Sequence, residues 1–171
     1  MTTATRLPPV LLAAVVLHTA VFPQLRLFGV AADVLLLVAV AAGMAGGADW
    51  GAGVGFAAGL LADCFLQTPF GLSALTYSLV GYGVGAFQAT VLRNSRWMTL
   101  LTTLVASALG VVLFAAVGTV LGQDHLVAVR LVGIAAVVAV LNAVLAPVAV
   151  RVLRWAVEPG KPGLLAGPIL R

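Results

Sequence analysis

Long apolar runs separated by short polar breaks make up almost the whole chain. Continuous runs without the alternation of barrel strands predict helices, and runs near 20 residues match the hydrocarbon thickness of a bilayer. They cover residues 7–22, 30–48, 50–67, 72–92, 97–121 and 126–150. The pattern therefore predicts an all-α integral membrane protein, a compact bundle of about six transmembrane helices.

The breaks between the runs leave some alternatives open. A glycine-rich turn over residues 46–49 separates the second and third runs, and the third run is short, so five spans or a re-entrant segment remain alternatives. The charged start of the first run also resembles a signal peptide, but the spans that follow favour a retained helix. We expect residues 1–156 to form the transmembrane domain and residues 157–171, rich in Pro and Gly, a flexible cytoplasmic tail.

Composition supports the membrane class. The chain is 63% hydrophobic and 8% charged, with a mean hydropathy of +1.19, whereas an average soluble domain has roughly 25% charged residues. There is too little polar side chain to cover a water-exposed surface. The net charge of +4 comes from residues that flank the apolar runs, which argues for topology and against nucleic-acid binding.

The basic residues are distributed unequally between the two sides of the predicted bundle. Six spans place both termini on one side. That side would carry Arg6, Arg93, Arg96, Arg151, Arg154, Lys161 and Arg171, and the other side Arg26 and Arg130. The positive-inside rule then predicts a multi-pass plasma-membrane protein with cytoplasmic termini. Within this set, we expect an inner-surface group to act as topology determinants, with anionic lipid contact as the alternative: Arg93, Arg96, Arg151 and Arg154.

A row of glycines marks the third run as a packing helix. Gly51, Gly55 and Gly59 are four residues apart and Asp63 continues the step, so all four share one helix face. Small residues at this spacing let membrane helices approach to backbone contact. Gly81 and Gly85 predict a second such face on the fourth run. The contact could be internal to the bundle or made with a partner.

Four ionisable residues lie inside the apolar runs, about one helical turn below the predicted outer surface. They are His18, Asp33, Asp63 and Arg130. Such groups usually face the interior and pair. We therefore hypothesise an outer polar layer in which Asp63 or Asp33 neutralises Arg130 and His18 is a hydrogen-bond partner. The alternatives are snorkelling of Asp33 and Arg130 to the headgroups and a packing role for His18. Asn142 is expected to hydrogen-bond across helices.

Catalytic and metal-binding patterns are missing from the sequence. Its two histidines lie in different segments, and its single cysteine, Cys64, excludes an intrachain disulfide and is expected to be an apolar packing residue. No serine lies in a Gly-x-Ser-x-Gly setting, and no lysine-containing phosphate loop is present. We predict no enzyme activity, no metal and no cofactor.

Several segments together resemble the rod shape-determining protein MreD family, over about residues 29–90. They are Asp-Val-Leu-Leu-Leu-Val at 33–38, Gly-Phe-Ala-Ala-Gly-Leu-Leu-Ala-Asp at 55–63, Phe-Gly-Leu-Ser-Ala-Leu at 70–75 and Gly-Tyr at 81–82. The chain departs from the family at Ala32, where proline is frequent. The resemblance implies a fold similar to the S components of energy-coupling vitamin transporters.

The resemblance also implies a function. Members of this family are non-catalytic membrane subunits of the cell-elongation (rod) complex, or elongasome, and support cell shape and cell wall biogenesis. The implied partners are the single-span protein MreC, the peptidoglycan glycosyltransferase and transpeptidase and, indirectly, the MreB filament. The rival interpretation is a vitamin-binding S component in which the outer polar layer lines a solute pocket. Against it, the first run lacks an Ala-x-x-x-Ala docking pair.

Overall fold

The computed structural model describes residues 3–22, 24–25, 29–65, 68–90, 96–123 and 130–157. These residues fold into six α-helices. They are α1 Thr3–Val16, which a π-helical turn at Leu17–Val21 extends, α2 Val34–Gly46, α3 Ala48–Asp63, α4 Leu72–Thr90, α5 Arg96–Val120 and α6 Leu131–Val157. The all-helical class predicted from the sequence is confirmed.

The centre of the fold is α2. Every residue from Val34 to Met44 is buried, and α2 contacts each of the other five α-helices. A helix that is apolar on all sides can be surrounded in this way. Two helix pairs, α3 with α4 and α5 with α6, pack against α2. The polar residues described below therefore lie at helix ends or in contacts between helices, around one buried helix.

The start of α2 is fixed by a side chain rather than by hydropathy. The Asp33 carboxylate accepts a hydrogen bond from the Leu36 backbone N–H at 3.0 Å, which makes Asp33 the N-cap. At the other end, Gly47 adopts a φ of 87° and joins α2 to α3 within one residue. The helix has 13 residues and spans about 20 Å, so it is shorter than the predicted run of residues 30–48.

The sixth helix is displaced from its predicted position. The apolar run predicts residues 126–150, whereas α6 begins at Leu131 and continues through Arg151 and Arg154 to Val157. Charged residues did not end the helix because long arginine stems can lie along it while their heads reach the interface. Arg130 is a turn residue directly before α6, not a residue four positions inside a span.

Among the described residues, two helices are long and apolar enough to cross a membrane, Trp97–Val120 and Leu131–Val157. The segments Arg6–Val21 and Val34–Gly46 are apolar but shorter. The helices are those of a helical membrane protein, although six separate spans are not established by length and hydropathy. Cys64 is exposed, so the prediction of a packing role for it is wrong. The predicted tail from residue 158 onward lies outside the described residues.

Candidate functional site

The glycine rows of α3 and α4 pack against each other. A Cβ atom added to any of these glycines would overlap backbone atoms of the facing helix or of the α2–α3 turn. The facing pairs are Gly51 with Gly81, Gly55 with Tyr77, Gly59 with Ala74, and Gly85 with Ala48. Of the two predicted arrangements, the structure therefore shows the internal one. The row is not available as a surface for another protein while α3 and α4 stay in contact.

Asp63, at the end of the α3 row, binds the start of α4. Its carboxylate accepts hydrogen bonds from the backbone N–H groups of Gly71 at 2.8 Å, Ser73 at 3.0 Å and Ala74 at 3.3 Å. The side chain is only 4% exposed. The first N–H groups of a helix have no partner within the helix, and the helix dipole favours an anion there. Asp63 thus closes the α3–α4 pair at the end opposite to the Gly47 turn.

A second aspartate joins four helices at the same end of the bundle. Tyr77 of α4 donates its hydroxyl hydrogen bond to the Asp33 carboxylate at 2.6 Å. Asn142 of α6 donates to the Asp33 backbone carbonyl and to the Ser107 hydroxyl of α5, both at 3.1 Å. The predicted cross-helix hydrogen bonding of Asn142 is confirmed. The cluster Asp33, Tyr77, Ser107 and Asn142, here called the four-helix polar cluster, ties the α5–α6 pair to α2 and α4.

The predicted ion pair of Arg130 is not formed within the described part of the chain. Arg130 is exposed in the turn before α6, and the two carboxylates bind neutral donors instead. His18 lies in the π-helical turn after α1, where its Nδ1 atom is buried and makes no hydrogen bond to the described residues. The hypothesis of one shared polar layer was wrong because backbone N–H groups and Tyr77 already satisfy both aspartates.

Those of the predicted inner-surface arginines that the structure describes lie at the opposite end of the bundle. Arg151 is exposed and Arg154 is partly buried in the last turn of α6. Arg6 of α1 donates to the carbonyl of Trp155 at 2.9 Å and stacks over its ring at 4.9 Å. Arg96 is the first residue of α5. Arg93 lies outside the described residues, and the topological role of the group remains a prediction.

Sequence reasoning missed three residues of these contacts. Gly43 of α2 approaches the backbone of Gly81 as closely as the α3 glycines do. Tyr77 and Ser107 belong to the four-helix polar cluster. A signal for Tyr77 was present, since it stands four residues before Gly81 and so continues the glycine face of α4. Gly43 stands four residues before Gly47, the same glycine spacing as on α3 and α4, whereas Ser107 stands in a continuous apolar run and carries no comparable signal.

A small cavity adjoins the four-helix polar cluster. Its volume is about 110 Å³ and it is lined by Asp33, Leu36, Tyr77, Gly110, Val111 and Phe114. A larger groove of about 720 Å³ lies between α4 and α5, and its lining is almost wholly apolar. Of the four residues that the rival interpretation placed around a solute pocket, Asp33 alone lines the small cavity.

These features define the class of protein: a helical membrane protein whose buried polar groups connect its own helices. The family model for the rod shape-determining protein MreD matches residues 3–155. The chain therefore belongs to the MreD family, which implies a role in rod shape determination as a structural component. No curated protein and no solved structure was found to match the chain.

Proposed function

We propose that this chain is a non-catalytic, multi-pass scaffold of the cell-elongation complex in the plasma membrane. It binds an MreC-like single-span protein and, through it, supports the peptidoglycan glycosyltransferase and transpeptidase, with the MreB filament reached indirectly. Membership of the MreD family supports this role. The hydrogen bonds of Asp63, Asp33 and Asn142 support it too, because they connect helices of the bundle to each other.

The observation that carries the proposal is the outward surface of α5 and α6. In the most apolar 18-residue stretch of each helix, only 28% of the α5 residues and 33% of the α6 residues are buried inside the bundle. The glycine rows are already used between α3 and α4. A partner span would therefore pack on the outward faces of α5 and α6, where Leu109 and Val144 are among the exposed side chains.

All six helices cross the membrane in this proposal, with both termini in the cytoplasm. The contact of Arg6 with Trp155 supports it, because it brings the start of α1 and the end of α6 to one end of the bundle. Arg151 and Arg154 lie at that end too. The shorter helices fit a bilayer that is locally thinned or held by neighbouring helices.

The vitamin-binding alternative gains no support from the cavities. Sites for drug-sized or vitamin-sized ligands usually measure about 300–1,000 Å³, and the cavity beside Asp33 measures about 110 Å³. The α4–α5 groove is larger, but no ionisable side chain lines it. It therefore lacks the polar groups that would orient a vitamin.

Site-specific photo-crosslinking in living cells tests the scaffold. A benzophenone amino acid is placed at Leu109 or Val144, which are 60% and 70% exposed, and at Val138 of α6, which is 5% exposed. We expect a cross-link to a single-span MreC-like protein, identified by mass spectrometry, from at least one exposed position.

The buried position is the matched control and should give no product. Membrane levels of all three variants are measured first, so that a misfolded variant is not counted. If the exposed positions yield adducts with lipid alone while the cells keep their rod shape, partner binding by these faces is contradicted.

A further inference from the structure

The charge of Asp33 is the starting observation, because it has no cationic partner in the described part of the chain. Its carboxylate accepts hydrogen bonds from the Leu36 N–H and the Tyr77 hydroxyl, both neutral donors. Arg130 is exposed and does not reach it. Arg26, seven residues before Asp33, lies outside the described residues. Carboxylates within a helical membrane bundle are costly and are normally compensated by a positive charge.

The cavity beside this carboxylate has a composition suited to a cation. Asp33 supplies the negative charge, Tyr77 and Phe114 supply aromatic rings, and aliphatic groups complete the wall. Organic ammonium groups are bound by this combination of carboxylate and aromatic side chains. The described residues contain no group of three His, Cys, Asp or Glu side chains that could hold a metal ion.

Gly110 gives the Leu36 side chain room to pack against α5 beside this cavity. A Cβ atom at Gly110 would come within 2.9 Å of the Leu36 side chain, and both residues line the cavity. Glycine in the middle of a helix costs about 1 kcal/mol relative to alanine, so its place here has a packing reason. The volume of about 110 Å³ suits a small ammonium group but is well below the roughly 300–1,000 Å³ of sites for vitamin-sized ligands.

We propose that the cavity between α2, α4 and α5 binds a small ammonium group, whose charge pairs with Asp33 and whose carbon atoms contact Tyr77 and Phe114. Free alkylammonium ions and the ethanolamine head group of a phospholipid share this chemistry. The site is independent of the partner contacts proposed above.

Thermal unfolding of the full chain tests the proposal. In neutral detergent, methylammonium chloride is titrated against sodium chloride at equal ionic strength. We expect methylammonium to raise Tm by at least about 2 °C, because a ligand that binds only the folded state stabilises it. In nanodiscs, a phosphatidylethanolamine–phosphatidylglycerol mixture is compared with a phosphatidylcholine–phosphatidylglycerol mixture.

Three variants test whether the rise in Tm comes from binding in the cavity. Asp33→Asn removes the charge and keeps one acceptor oxygen for the Leu36 N–H, while its amide NH2 can donate to the Tyr77 hydroxyl; it should abolish the shift. Phe114→Leu should reduce it and provides a second reading if Asp33→Asn fails to fold. Asp49→Asn is the matched control, since Asp49 is an exposed carboxylate at the opposite end, and it should leave the shift unchanged.

The outcomes are distinct. A response to methylammonium alone identifies a free cation, and a response to the ethanolamine lipid alone identifies the head group; either supports the site if Asp33→Asn removes it. No response in either medium overturns the proposal. An equal response in Asp33→Asn also overturns it, because the cation then binds elsewhere.

Discussion

Asp33 and Asp63 both accept hydrogen bonds inside the bundle, but their donors differ. Asp63 is buried and receives three backbone N–H groups from the start of α4. Asp33 caps its own helix and binds Tyr77 from a neighbouring helix. In hydrocarbon, an unsatisfied polar group has no water to bind. Both carboxylates are therefore structural connections, and only Asp33 also faces a cavity.

Replacement of Asp63 tests the strength of its connection. Asp63→Ala leaves three N–H groups without an acceptor, and we expect it to lower the free energy of unfolding by about 3 kcal/mol or more. Asp63→Asn keeps one acceptor oxygen and should cost less. Unfolding is measured by titration of the denaturing detergent in mixed micelles. A loss for Asp63→Ala no larger than that for the exposed Asp49→Asn would contradict the role of Asp63.

At the residue scale, the sequence predicted correctly that Asp63 and Asn142 connect helices, but it did not predict their hydrogen-bond partners. Asp63 stands out because it ends the glycine row, and Asn142 because it interrupts an apolar run. Apart from the Ser107 hydroxyl, their partners are backbone N–H and carbonyl groups, which almost every residue carries. A pattern of side chains therefore could not identify these backbone partners. The ion pair with Arg130 that we predicted in their place is wrong.

At the scale of elements, the α3–α4 pair shows why spacing is informative. Four-residue steps of glycine define one face, and the two faces meet along the length of both helices. The helix ends were harder to predict. The start of α2 depends on the Asp33 cap, and α6 runs past two arginines. Hydropathy predicts neither, because it carries no information on capping hydrogen bonds or on where an arginine head group reaches.

Two alanine substitutions on α3 separate close packing from helix propensity. Alanine is favoured over glycine in a helix by about 1 kcal/mol. A Cβ at Gly53 has no atom within 4 Å, so Gly53→Ala should stabilise the fold slightly. A Cβ at Gly55 would overlap the Tyr77 carbonyl, so Gly55→Ala should destabilise it by several kcal/mol, since the helices must separate. Tm in mild detergent measures both changes.

The critical result is that Tm rises for Gly53→Ala and falls for Gly55→Ala, because both substitutions replace glycine by alanine in the same helix. If Gly55→Ala also stabilises the protein, α3 and α4 are not in backbone contact. Gly55→Leu and Gly59→Leu should then fail to disrupt docking as well.

At the scale of the whole molecule, the two ends of the bundle differ in their charged groups. Asp33 and Asp63 lie at the end where α2 begins and α3 ends. Arg6, Arg151 and Arg154 lie at the other end, together with the single described carboxylate of that end, Asp49. Arg130, before α6, lies at the aspartate end, so three of these four described arginines lie at the other end. Counted in arginines, that is the asymmetry that the positive-inside rule predicts for cytoplasmic termini.

Thiol labelling of the single native cysteine tests this orientation. Cys64 is exposed and directly follows α3 at the aspartate end, so an impermeant maleimide should label it in intact spheroplasts. In a Cys64→Ser background, Ala89→Cys places a thiol at an exposed position in the last turn of α4. It should react only after permeabilisation. Labelling of both positions from outside would contradict the crossing of α4, whereas the reverse pattern would place the termini outside. Because α4 has only 19 residues, opposite accessibility of its two ends would also show that a helix of this length spans the bilayer.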